Sequence, residues 1–86
     1  MTFVYMIKDK NNRLYIGVSD DPKQRLHDHN HKLGATFTKE GGFALVFLEK
    51  YLTLKDARTR EVQIKRWKRE KKEILIDRFK RGLRTR

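Results

Sequence analysis

Cysteine is absent from this 86-residue chain, so neither a disulfide framework nor a thiolate metal site can be built, and the composition suits a reducing cytoplasm. Proline occurs once, at Pro22, and acidic residues are half as numerous as basic ones, 11 against 22. The longest apolar run, Phe43–Leu48, falls far short of the roughly 20 residues a membrane helix needs. No basic stretch followed by an apolar core opens the chain, so no signal segment is expected. These absences predict an unprocessed, soluble, cytoplasmic protein that does not enter a membrane. His27 and His31 are four apart, but no acidic third ligand is placed with them, and zinc is not expected.

What is present is positive charge, unevenly spread. The formal net charge is +11. Residues 1–64 carry 11 Lys/Arg against 8 Asp/Glu, whereas residues 65–86 carry 11 against 3. Such a concentration attracts a polyanion and gains binding energy from counterion release, which makes nucleic acid, DNA above all, the expected partner. The plain alternative is a set of solvated helix faces. Apolar residues come in ordered clusters, so the chain reads as one small folded domain over residues 1–86, ending in a basic C-terminal tail at 77–86.

Phe3–Ile7 is continuously apolar and reads as a strand covered on both faces. The turn residues Asp9-Lys10-Asn11-Asn12 separate it from a second β-rich run, Leu14–Val18, so the two predict an antiparallel hairpin that brings Tyr5 near Tyr15. Asp21 as N-cap, Pro22 at the first helical position and Gln24 closing a capping box predict a helix from Pro22 to His31. Gly34 and the Gly41-Gly42 pair mark a loop, and Phe43–Lys50 reads as a third strand. A long helical stretch opens at Thr53 or Leu54 and runs to about Arg69, with a bend near Glu70 and a further helix over Lys71–Arg81. The order β-β-α-β-α-α predicts an α+β fold: a small three-stranded, mainly antiparallel sheet flanked by helices.

Candidate site residues emerge from placement on these elements. Arg25 and His29 are four apart and share a helix side, a plausible phosphate clamp with a titratable partner. Two solvated helix residues would have the same spacing. Leu54, Ala57, Glu61 and Ile64 fall on one helical stripe, so Glu61 interrupts an apolar face, where a carboxylate is costly unless cations or donors satisfy it. An ion pair with Lys65 or Arg58 would serve that need without any catalytic role. Trp67, beside Ile64, reads as core before it reads as a base-stacking platform.

The ordered set Tyr5, Tyr15 in Tyr15-Ile16-Gly17, Arg25, His29 and Glu61 resembles the GIY-YIG nuclease superfamily, in particular its short standalone bacterial members. It is similar also to the GIY-YIG catalytic domains of excinuclease and of homing endonucleases. Arg25-Leu26, His29-Asn30, the Gly34-Ala35-Thr36-Phe37-Thr38 loop and Glu61 followed by Gln63, Lys65, Arg66 and Trp67 extend the likeness over residues 3 to 76. Phe3 stands where the family name has its first glycine.

That resemblance implies a metal-dependent endonuclease hydrolysing phosphodiester bonds in DNA, in repair or recombination. Tyr5, Tyr15, Arg25, His29 and Glu61 would be catalytic and converge on one face. Glu61 would bind a single Mg2+ or Mn2+, and Arg25 would hold the scissile phosphate. Either Tyr5 or Tyr15 would be the general base, acidified by charge such as Arg25 or Lys65, because an unperturbed phenol titrates near pH ~10. Arg25, Lys65, Arg66, Lys68, Arg69 and Lys72 would bind nucleic acid, and a protein partner is expected to supply substrate targeting. The competing reading is a non-catalytic nucleic-acid-binding module using the same basic face. Glu61 favours the enzyme, since a carboxylate facing phosphate repels it unless a cation intervenes.

Overall fold

A computed structural model describes residues 1–31 and 42–86, with His31 placed by its backbone alone. The Gly34–Thr38 loop and Gly41 lie outside the described residues. Three strands, β1 (Thr2–Lys8), β2 (Leu14–Ser19) and β3 (Ala44–Tyr51), accompany three helices, α1 (Pro22–His31), α2 (Leu54–Lys65) and α3 (Arg69–Lys80). The sheet has order β2-β1-β3 and both pairings are antiparallel. The central position of β1 explains its unbroken apolar run, with Val4, Tyr5, Met6 and Ile7 all buried.

The hairpin between β1 and β2 is organised by Asp9. Its carboxylate accepts the Asn11 and Arg13 backbone N–H groups, each at 2.9 Å, and the Arg13 Nε at 2.7 Å. Asn12 takes the left-handed backbone the turn requires, φ 67°. Burial pushes the Asp9 carboxyl upward, but these donors outweigh it and hold it below the ordinary carboxylate value.

The two sheet faces carry different helices. Val4 and Met6 of β1 and Phe47 of β3 pack with Ala57 and Ile64 of α2 and with Leu75 and Ile76 of α3. Tyr5, Ile7 and Phe43 pack on the other side with Leu26 of α1. A bulge in the β1–β3 pairing falls between Met6 and Ile7.

Three local expectations need correction. Asp21 caps α1 through the Gln24 N–H at 3.1 Å, but no capping box closes: the Gln24 amide turns forward to Asp28 at 3.0 Å, and the Asp21 N–H donates to Ser19 Oγ. The long helix ends at Lys65 rather than Arg69, because the chain tightens through Arg66 and Trp67, whose N–H groups reach Gln63 and Ile64 carbonyls at 3.2 and 3.0 Å. Lys68 is then extended, and α3 starts at Arg69. The bend thus falls before Glu70, where Trp67 packs against the core. Leu54 does not join the buried stripe; it is 54% exposed.

Residues 77–80 complete α3, and the following residues fold back on the domain. Phe79 meets Phe47 edge-on, with ring centres 5.8 Å apart. Thr85 Oγ1 donates to Glu49 Oε2 at 2.6 Å, and Arg60 binds Glu49 through Nε at 2.9 Å and Nη2 at 3.2 Å while also donating to the Thr85 carbonyl. Among the described residues, no helix is long and apolar enough to cross a membrane.

Candidate active site

Tyr5 sits opposite Gly17 in the hairpin register, and Tyr15 sits opposite Ile7, so the two tyrosines are diagonal neighbours on one face. The missing side chain at Gly17 gives Tyr5 its path. A Cβ there would stand 2.5 Å from the Tyr5 hydroxyl and 2.7 Å from its Cζ, so the phenol lies across β2 only because position 17 is glycine.

Phe43 links the second tyrosine to α1. Its ring meets Tyr15 edge-on at 5.4 Å and His29 in a tilted contact, also at 5.4 Å. Asn30 fixes the same residue from the backbone side, accepting the Phe43 N–H at 2.8 Å and donating to its carbonyl at 3.2 Å. The Tyr15 hydroxyl donates to Asp9 Oδ2 at 3.4 Å. Asp9, Asn30 and Phe43 are therefore supports that the sequence did not reveal. Asp9 reads as an ordinary turn residue until its carboxylate is seen folded inward.

Charge connects Tyr5 to the other two candidates. Burial pushes its phenol above the ordinary value of 10.0, Arg25 on α1 pulls it down, and Glu61 on α2 pushes it further up. Arg25 and Glu61 thus both bear on the same hydroxyl, from different elements. The expected acidification of Tyr5 does not hold in the free protein, because burial outweighs the guanidinium. The phenol keeps its proton at neutral pH.

Glu61 is only 6% exposed, on the stripe with Ala57 and Ile64. Both predicted partners reach it: Arg58 Nη1 is 3.4 Å from Oε1 and Lys65 Nζ is 3.2 Å from Oε2. Among the described residues, no three His, Cys, Asp or Glu side chains gather as a self-sufficient metal site. Any cation here would need ligands beyond the described side chains of this kind.

The expected nucleic-acid contacts divide by engagement. Arg66 and Lys68 are exposed near the α2–α3 bend and Lys72 is half-buried. Arg69 is committed internally, to Glu73 at 2.6 Å and to the Asn12 carbonyl at 2.7 Å, which ties α3 to the hairpin turn. Trp67 packs against the core, with Lys71 Nζ 4.1 Å and the Arg60 guanidinium 5.1 Å from its ring centre.

An antiparallel three-stranded sheet of order β2-β1-β3 with three helices is the α+β fold that the sequence anticipated. The GIY-YIG catalytic domain profile matches residues 1–73, and the chain belongs to that family. Its relatives include the UPF0213 proteins of Staphylococcus aureus strains Mu3 and N315, each 40% identical over 75 residues that cover 86% of this chain and 92% of theirs. The solution NMR structure of the UPF0213 protein from Bacillus halodurans matches with a TM-score of 0.59 at 30% identity, covering 90% of this chain and 84% of that one.

Proposed function

We propose that the protein is a divalent-metal-dependent endonuclease that hydrolyses phosphodiester bonds in DNA. The observation that carries this reading is the joint action of Arg25 and Glu61 on the Tyr5 phenol. On this reading Glu61 would hold the cation, Arg25 would hold the phosphate, and the Tyr5 hydroxyl would donate a hydrogen bond beside them.

The residues fit a single Mg2+ or Mn2+. Glu61 is a buried carboxylate that already draws positive charge to both oxygens, and Mg2+ is commonly held by one or two carboxylates plus substrate phosphate oxygens and water. When bound, such an ion polarises the phosphoryl group and lowers the pKa of water. Arg25 would hold a non-bridging phosphate oxygen, and Tyr5 would donate a hydrogen bond beside it. Water would add to phosphorus as the ester P–O bond breaks, with the departing oxygen taking up a proton from solvent.

For the proton lost by water, Tyr15 is better placed than Tyr5. Its O–H is directed to Asp9, so as the phenol oxygen takes the proton from water its own proton can pass to the Asp9 carboxylate, a route that the buried Tyr5 is not shown to have. His29, behind the shared Phe43 ring, is the other acceptor.

One observation favours the non-catalytic alternative: Arg58 and Lys65 already neutralise Glu61, so the carboxylate has a structural use without any cation. Incubating the purified protein with single-stranded, duplex and branched DNA, and matched RNA, separates the readings. Cutting with Mg2+ or Mn2+ that stops with chelator is the expected result. Salt-sensitive binding without cutting on every substrate would leave the binding module.

A further inference from the structure

Glu61 and its two cations differ sharply in accessibility. The carboxylate side chain is 9% exposed, against 62% for Arg58 and 54% for Lys65. A buried anion must be compensated, and here the compensation reaches in from solvent on flexible stems, one turn on either side along α2. Each cation stands on a different carboxylate oxygen. Exposed partners of this kind exchange readily, because water and other anions compete for them.

We infer that Arg58 and Lys65 are positioning residues that make cation binding at Glu61 conditional on a phosphate. The inference rests on the reading of Glu61 as the cation ligand. A divalent ion approaching the free protein meets two positive charges, one on each carboxylate oxygen. A phosphodiester arriving beside Glu61 offers both side chains a competing anion, because guanidinium and ammonium groups bind phosphate as well as carboxylate through charge-assisted hydrogen bonds. Their departure opens Glu61, and the same phosphate supplies oxygens that complete the ion's coordination. No competing cluster of three acidic or histidine ligands exists among the described residues to take up the ion first. Cation and nucleic acid then bind with positive coupling, and linkage makes that coupling reciprocal.

Mn2+ binding to the full chain, followed by loss of the free-ion electron paramagnetic resonance signal, tests this without any turnover. In the absence of nucleic acid, Arg58→Gln/Lys65→Gln should bind Mn2+ about tenfold tighter than the parent, with Lys65→Gln alone in between. Adding saturating phosphorothioate duplex DNA, with DNA alone as control, should tighten Mn2+ binding to the parent by about tenfold and to the double variant by much less. Glu61→Gln should remove the site in either background. The single Lys65→Gln variant keeps one cation on the buried carboxylate and carries the test should the double variant fail to fold by circular dichroism.

The inference is overturned if the guard variants bind Mn2+ no tighter than the parent while Glu61→Gln still abolishes binding; Glu61 then remains the ligand and only the conditional device is lost. Undiminished Mn2+ binding by Glu61→Gln overturns both readings.

Discussion

Gly17 determines how far the Tyr5 phenol can reach, and a methyl group at that position tests the point. The substitution Gly17→Ala puts a Cβ within 2.5 Å of the hydroxyl, an overpacking expected to cost about 1–3 kcal/mol in urea denaturation. Removing the ring with Tyr5→Ala in the same chain should recover much of that cost, giving a large coupling in the double-mutant cycle; simple additivity would mean the ring is not the obstacle. The Tyr5 phenol is also a pH probe. Its folded value lies above the ordinary 10.0, so the folded form holds the proton more tightly than the unfolded form. The associated stability is present below that pH and is lost as pH rises through the raised folded value. Alkaline melting curves of Tyr5→Phe should therefore fall less steeply than those of the parent, and identical slopes would remove the raised phenol from the account. The five candidate positions were legible because their residue types and order are distinctive. The support from Asp9 was not, since an aspartate in a polar turn looks the same whether its carboxylate faces water or Tyr15.

At the scale of elements, α1 carries Arg25 and His29 and is pinned to the start of β3 by a single side chain. Asn30 makes two hydrogen bonds to the Phe43 backbone. Asn30→Ala should cost about 1–3 kcal/mol by leaving those groups unpaired, and should lower cleavage while leaving the helical content seen by circular dichroism nearly unchanged. Full activity in that variant would show that α1 needs no such anchor. The boundaries of α1 could be read from Asp21 and Pro22, whose capping roles are local. The break between α2 and α3 could not be placed as well. No glycine or proline marks it, and the cause is tertiary: Trp67 packs against the core while Leu75 and Ile76 turn onto the sheet.

Across the whole molecule, the C-terminal residues both carry charge and close the domain. Glu49 on β3, Arg60 on α2 and Thr85 beyond α3 meet in one half-buried network around the buried Glu49 carboxylate, completed by the Tyr51 hydroxyl at 2.9 Å from Glu49 Oε1. Sequence composition marks 77–86 as a basic tail; partners 36 positions apart, Glu49 and Thr85, leave no local pattern from which the closure could be read. Burial pushes the Glu49 carboxyl up, but Arg60, Thr85 and Tyr51 outweigh it and hold it below the ordinary 4.5. Its contribution to stability is thus present above that value and is lost as pH falls through the depressed folded one. Glu49→Gln should melt lower than the parent at pH 7, by about 3 kcal/mol or more for breaking a buried pair, with the gap narrowing in acid; a gap independent of pH would contradict the assignment. The proposed activity converges on Glu61, and the most direct measurement is cleavage and binding by Glu61→Gln on the same DNA, with Mg2+ or Mn2+ and with folding checked by circular dichroism. The account predicts that divalent-dependent cutting is abolished while chelator-phase DNA binding is equal or slightly tighter, because a negative charge beside the phosphate has been removed. A folded Glu61→Gln protein that cuts as fast as the parent would contradict it.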